Sequence, residues 1–577
     1  MAQEKAEGSP YLQYQTTING QLDSSVRQVL TEISGTLGLE ERPPLTMQQL
    51  IRRAQADVGA FTRALRSIGY YAAEISYRVD DRQTPIQVNF EVNPGPPFVI
   101  SRVEFENLSE DSTKNVTLPE PEKIGLVRGQ RIQSPGVLAA RNEINKILRS
   151  QGFPFPRTDI REVIIDHVDH TASIFFSFDP GPAAVFGDTQ VSGLSRIKPE
   201  YILERIPWKK GDSFEAPKMD DFRRKLATSG LFTLVEVKHA ESLAENRHLP
   251  IFVQVTERKP RTIRAGASYQ TDIGPELEVG WTHRNFKGMG EKLDFRLSLS
   301  EVLQSLEGEY VIPGFRRKDQ GLIFKAGFVN EEQDAYDSTS LYAVSMLERQ
   351  LTRELSAGAG LGYRLARVKQ RDEESDLGLL FLPARATWDN RDDILDPSRG
   401  IRLNLELTPF VDTLNTDTKF LKAYASLSNY LELWPNKKII LANRVAIGTI
   451  PAGSRSKVPP DERFYAGGAG SVRGYSFQWA GPLEDNEPIG GLSLAEINTE
   501  LRVRTARRQG LVFFLDGGRA YDSSYPNSDE KLFWGCGIGY RFYTDFGPIR
   551  MDLAFPLNRR KDVDDRFQIY ISLGQAF

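Results

Sequence analysis

The sequence predicts α+β repeats, three β-α-α-β-β units, followed by an all-β transmembrane barrel of about 16 antiparallel strands. Three observations predict it. A helix, a glycine, an aromatic residue and a strand recur in that order three times before about Arg261. From about Thr262 the helical signals stop, and segments of roughly ten residues alternate apolar and polar side chains between turns. The polar face of those segments carries Arg402, Glu406, Glu500 and Arg502, which a dry protein core would not hold.

The chain has 577 residues, too many for one compact soluble domain, and a net charge of −4, which argues against a polybasic nucleic-acid binder. Its hydrophobic content of 40% is that of an ordinary soluble protein. A barrel conceals itself in this way, because half of each strand faces a polar interior. No run approaches the ~20 apolar residues of a membrane helix. The single cysteine, Cys536, excludes an intramolecular disulfide and falls on an apolar strand face between Trp534 and Ile538. The opening MAQEKAEGS has no apolar signal core, so the expectation is a processed N-terminus with an added start methionine. His167 and His170 flank Asp169 in a polar run at a strand end; solvated side chains are expected there, with no metal or cofactor site.

The repeats run from Leu65 to Val79, Leu148 to Val163 and Leu226 to Ala240, with Gly69, Gly152 and Gly230 in equivalent places. Each glycine stands where a helix ends in a left-handed residue. Each unit closes on an alternating strand: Ile86 to Val92, Ala172 to Phe178 and Pro250 to Val255. The first two run into the turns NPGPPF and DPGPAAVFG, which lead into the next unit. A unit of this kind leaves a sheet edge open to an extended chain, which suits a module that handles unfolded substrate or grips a partner.

In the C-terminal half, Leu293, Phe295, Leu297 and Leu299 oppose Asp294 and Arg296. Leu322, Phe324, Ala326 and Phe328 repeat the pattern, and Ile401, Leu403, Leu405 and Leu407 alternate with Arg402, Asn404 and Glu406. A soluble sandwich also alternates, so the density of inward charge carries the argument. Glu496, Asn498, Glu500, Arg502 and Arg504 share one strand face; Val512, Phe514 and Asp516 share another. The longest interruption lies between Ile450 and Gly490 and contains Asp461 to Tyr475, DERFYAGGAGSVRGY. Its glycines let backbone pack closely. It delivers Arg473, whose planar, permanent charge suits carboxylates. Folded back into a wet lumen, this loop would bring Arg473 to Glu500 and Asp516.

Three blocks carry a family resemblance. Val472-Arg473-Gly474-Tyr475, then Asn498-Thr499-Glu500, then Phe514 to Gly518 resemble, in that order, the outer-membrane insertase superfamily. In that superfamily the loop arginine docks inside the barrel against the F-x-D-x-G strand, here Phe514, Asp516 and Gly518. The polar turn from Asp389 to Gly400 resembles another recurring block. The repeats resemble the POTRA domain, the periplasmic module of the superfamily. On that reading residues 10–95, 96–182 and 183–260 are POTRA-like domains, and 261–577 is the barrel with an inward loop over 451–489. The last strand puts Phe567, Ile569, Ile571, Leu573 and Phe577 on one face, and a terminal Phe577 resembles the recognition signal of outer-membrane barrels.

Three such units before a barrel resemble the outer-membrane subunit of the translocation and assembly module, the TamA type. The resemblance implies a non-enzymatic insertase in the outer membrane of a Gram-negative bacterium, with periplasmic N-terminal domains, assisting assembly of autotransporter-type barrels. The implied partners are an inner-membrane-anchored TamB-like protein on the POTRA arm, unfolded outer-membrane clients and the bilayer, with no nucleic acid. A lateral seam is implied between the first and last strands. There the first strand, with Ala265, Ala267 and Tyr269, is poor in large apolar residues, and the last, with Ser572 and Gly574, packs weakly. The competing reading is a secretion pore or channel plugged by the Arg473 loop. No nucleophile–base pair, metal-ligand spacing or phosphate loop points to catalysis, and a buried ion network accounts for Arg473, Glu500 and Asp516.

Overall fold

A computed structural model of the chain describes residues 11–109, 116–414, 418–544, 547–573 and 575. In each N-terminal module the closing strand sets the layers. Ile86–Asn93, Thr171–Asp179 and His248–Glu257 alternate buried and open positions. Each lies in the middle of a three-stranded sheet, parallel to the module's opening strand. Tyr14–Asn19, Val99–Asn107 and Val185–Ser192 are the opening strands. One face of each sheet is covered by a helix whose buried residues recur at helical spacing. In Met47–Ser67 these include Leu50, Ala54, Phe61 and Leu65; in Ser134–Ser150 they are Val137, Ala140, Ile144 and Leu148; in Ala216–Thr228 they are Met219, Phe222 and Leu226. Past the helix ends, Gly69, Gly152 and Gly230 have φ of +90°, +108° and +74°, the left-handed geometry that stops a helix.

One expectation changes. Among the described residues, the first helix of the second module is only a 3-10 turn, Pro121–Ile124. Pro119 and Pro121 cannot extend a helix in the N-terminal direction, and Gly125 ends the turn at φ +85°. His167 and His170 are also not merely solvated: both rings lie edge-on to the buried Phe98, each with a centroid separation of 5.3 Å.

The chain divides into two compact units, and the border does not fall at one residue. The first runs to Ser192 and includes Ile206–Thr228 and Val235–Val255; the second comprises Gly193–Arg205, Ser229–Leu234 and Thr256–Phe577. Within the second unit, the Glu257 carboxylate accepts the backbone N–H groups of Ser195 and Ile197 at 2.7 and 2.9 Å. Lys198 N donates to Gly288 O at 2.9 Å, and Asn285 Nδ2 donates to Arg196 O at 3.1 Å. Ser195 to Lys198 are thereby tied to the turn between the strands Gly274–His283 and Lys292–Leu299.

The barrel is closed and antiparallel, from Arg261–Gln270 to Gln568–Leu573. It has 16 strands if Glu373–Phe381 and Ala384–Asp389 are counted as one. Both halves pair with Leu355–Gln370 and with Gly400–Asp412, and they part at Leu382 and Pro383, where proline offers no N–H to the ladder. Side chains alternate as the sequence predicts. Phe295, Phe324, Leu405, Phe513 and Leu515 are exposed on the outside, while Val512, Phe514 and Asp516 are buried inside. Inward charges pair across strands, as Arg264 does with Asp294 at 3.1 Å and Lys325 with Glu309 at 3.1 Å. Among the described residues no helix is long and apolar enough to cross a membrane.

Candidate functional site

The loop between Ile439–Thr449 and Ser493–Ala506 folds into the lumen. At its outer end Arg364 binds Asp461 and Glu462, and Lys422 reaches Glu462 at 3.2 Å. Deeper, Arg473 is 1% exposed. Its Nε donates to Asp516 Oδ2 at 2.6 Å and its Nη2 to Asp516 Oδ1 at 3.0 Å, a bidentate pair. Its Nη1 donates to Glu500 Oε1 at 2.7 Å and to Asp552 Oδ2 at 3.1 Å. The guanidinium carbon sits 3.6 Å from the centre of the Phe514 ring.

The network reaches past these partners. Arg502 Nε donates to Glu500 Oε2 at 2.8 Å, Arg541 binds Asp552, and Arg550 Nε lies 3.5 Å from Asp552 Oδ2. Four guanidinium groups therefore surround three carboxylates, all buried. Charges taken out of water are tolerated only when paired this closely, and removing one partner of such a pair costs roughly 3–5 kcal/mol.

Close approach of the loop to the wall needs a surface without side chains. The strand Phe533–Thr544 supplies it on its inward face with Gly535, Gly537 and Gly539. A methyl at Gly535 would overlap the Arg473 carbonyl oxygen; at Gly537 it would meet the Phe514 ring, and at Gly539 the Asp552 carboxylate. From the loop side, Gly474 has φ +100° and packs on the backbone between Phe555 and Pro556. Val472 and Tyr475 are fully buried, and the Tyr475 hydroxyl donates to Asn558 Oδ1 at 2.8 Å. Gly518 sits directly under Val472. Asn498 Nδ2 donates to Ser471 O at 2.6 Å.

The structure brings together Val472, Arg473, Gly474 and Tyr475 with Glu500, Phe514, Asp516 and Gly518. It adds Asp552, Arg502, Arg541 and the glycine track, which the sequence reading did not assign to the site. Their signals were present: glycines at every second position in Phe533–Thr544, and an inward Arg550 and Asp552 in Gly547–Pro556.

The seam is thinly laddered. Among the described residues the first and last strands share two register pairs, Tyr269 with Ile571 and Gln270 with Tyr570. Among the described residues Ala265 and Ala267 pair with Val279 and Leu277 of the second strand. Ser572 pairs with Arg550 on its other side. Continuing the register beyond Tyr269 and Ile571 would set Leu573 opposite Ala267. Gly574 and Phe577 lie outside the described residues.

Comparison with known proteins places this geometry. The model of the Omp85 superfamily domain matches residues 285–577, and that of POTRA domain TamA domain 1 matches residues 15–94. The outer membrane protein assembly factor BamA of Nitratidesulfovibrio vulgaris is 23% identical over 95% of this chain and 71% of its own length. Its counterpart from Neisseria meningitidis serogroup B is 20% identical over 90% and 72%. The crystal structure of BamA from Haemophilus ducreyi lacking POTRA domains 1–3 superposes with a TM-score of 0.68 at 18% identity, covering 82% of this chain and all of that one. That likeness is one of fold.

Proposed function

The chain belongs to the Omp85 superfamily, and from that premise we propose that it is a non-enzymatic outer-membrane protein insertase. The barrel lies in the outer membrane with its N-terminal modules on the periplasmic side. The observation that carries the proposal is the seam. On the seam flank Ala267 and Ser268 have no ladder partner among the described residues, although Ser572 and Leu573 stand opposite them in register. Unpaired N–H and C=O groups in the bilayer are costly, and an incoming strand satisfies them. The seam templates a client strand while the loop network keeps the rest of the barrel shut.

The finer reading is a TamA-type subunit. Its support is the match of the first module to POTRA domain TamA domain 1. On this reading the clients are autotransporter-type barrels and the periplasmic arm grips an inner-membrane-anchored TamB-like partner. Reconstitution tests the proposal. An unfolded autotransporter barrel added to proteoliposomes becomes protease-protected while conductance stays low. Steady current without protection, rising when the Arg473 loop is cut, would instead identify a secretion pore.

A further inference from the structure

The segment that follows Arg473 touches the last strand directly. Gly474 N donates to the Tyr570 hydroxyl at 3.2 Å. Gln568 opens that strand and is 2% exposed. Its Nε2 donates to Ser476 Oγ of the loop and to Asp565 Oδ2, both at 3.0 Å. Its Oε1 accepts from the hydroxyl of Thr271, in the turn that ends the first strand. The same turn closes the seam ladder: Thr271 N donates to Ile569 O at 3.1 Å, and Ile569 N donates to Thr271 Oγ1 at 3.1 Å.

One side-chain amide therefore has the loop on its nitrogen and the first hairpin on its oxygen. The two ends are chemically distinct, since the nitrogen only donates and the oxygen only accepts. Turning the amide over would set its oxygen against the Asp565 carboxylate. The orientation that serves the loop is the one that serves Thr271. On its other flank the last strand is joined to Gly547–Pro556 by six register pairs and needs no such help. On the seam flank, with two pairs, one side-chain bridge is a large share of what holds the strands together.

We infer that Gln568 is a positioning residue that couples the seated Arg473 loop to closure of the seam at its outer end. With the loop in place, Ser476 and Asp565 orient the amide so that its oxygen holds Thr271. With the loop lifted, the amide loses a partner and the first hairpin is released. Seating of the loop and closing of the seam are then one equilibrium with two handles. This deepens the insertase reading and rests on the seam being the client route.

The test needs no client. In a Cys536→Ser background, a cysteine pair at Ala267 and Leu573, the next same-face positions in register beyond Tyr269 and Ile571, is oxidised in proteoliposomes and the cross-link yield is followed. Ser476→Ala and Thr271→Val act on opposite ends of the amide. Each is expected to lower the initial cross-linking rate several-fold. Together they are expected to do little more than the stronger one alone, because either breaks the same bridge. Gln568→Ala is expected to slow cross-linking at least as much as Ser476→Ala, and heat-modifiable gel mobility checks that each barrel is folded. If Gln568→Ala does not assemble, the Ser476–Thr271 cycle still decides. Additive effects, or a wild-type rate in Ser476→Ala beside a slow one in Thr271→Val, would overturn the coupling. Either result leaves the insertase reading to its own assay. A failed insertion assay, conversely, leaves the cross-link result standing.

Discussion

The barrel has a tall wall and a low one. Leu355–Gln370 and Lys419–Trp434 have 16 residues each. At about 3.3 Å per residue they reach roughly 50 Å, well beyond an apolar band of about 25 Å. Near the seam, Lys292–Leu299 has eight residues. At roughly 26 Å this strand does little more than span the band. The ladders follow the same asymmetry. Thirteen register pairs join Ser493–Ala506 to Gln509–Tyr521, behind the arginine network, whereas two join the first strand to the last. The same alternating pattern thus builds a wall meant to stay and a joint that gives way. The difference lies in strand length and in what crosses the lumen to reinforce the wall.

The largest expected effect comes from the reinforced side. Arg473→Ala strands Glu500, Asp516 and Asp552 among fewer cations, and the loss is roughly 3–5 kcal/mol. The folded barrel is expected to unfold at a lower temperature in heat-modifiability gels, with assembly activity lost alongside; an assembled variant with wild-type heat resistance would contradict the docking. Gly535→Ala should reproduce the unseated loop with every charge retained, because the added methyl overlaps the Arg473 carbonyl. Protease cleavage of the loop in intact barrels reads this, and cleavage no faster than in wild type would mean that the glycine track is not what admits the loop.

On the weak side the expected effect is smaller and depends on pH. Asp272 lies in the turn beside Thr271. Burial pushes its carboxyl up to about 6; its own backbone amide and that of Phe477 oppose the rise, and the Asp565 carboxylate adds to it. Asp565 and the Tyr570 hydroxyl are the titratable groups facing it. A carboxyl raised in the closed state favours closure when neutral. That contribution is complete below the ordinary carboxylate value and is lost as pH rises through about 6. The ratio of the wild-type to the Asp272→Asn cross-linking rate, in which the thiols' own pH dependence cancels, should therefore be higher at pH 5 than at pH 7.5. An equal ratio at the two pH values would assign the dependence elsewhere.

The smallest effect is expected at the start of the barrel. Burial raises the Glu257 carboxyl, but the backbone N–H groups of Ser195, Ile197 and Arg196, with the Ser195 hydroxyl, outweigh this and hold it below the usual range. A depressed carboxylate contributes above its ordinary value and loses the contribution as pH falls through the lowered one. Glu257→Gln should modestly quicken hydrogen exchange at Ser195 to Ile197 at neutral pH, with no change in the barrel. Equal exchange would mean that these amides are held by other groups.

Much of this was legible in the sequence. The period of two placed Glu500, Asp516 and Phe514 on inward faces, and a loop with one arginine and several glycines needed only a lumen to enter. The helix-ending glycines Gly69, Gly152 and Gly230 located the modules because a left-handed residue has few alternatives. Asp552 and Arg541 were less visible, since their role depends on which strands become neighbours behind the loop. The seam register was not legible: Ala265 and Ala267 carry too little side chain to favour one pairing over another. Nor was Gln568, an ordinary polar residue at a strand end whose importance lies in its two partners, Ser476 and Thr271, far away in the chain.

The central claim is that the two-pair seam must open for a client strand to enter. A disulfide between Tyr269→Cys and Ile571→Cys, in a Cys536→Ser background, joins residues already opposite in the ladder, a separation that a disulfide spans. Client insertion into proteoliposomes is measured with the bond oxidised and again after reduction. The account predicts that insertion stops in the oxidised barrel and returns on reduction. Full insertion through the locked seam would contradict it.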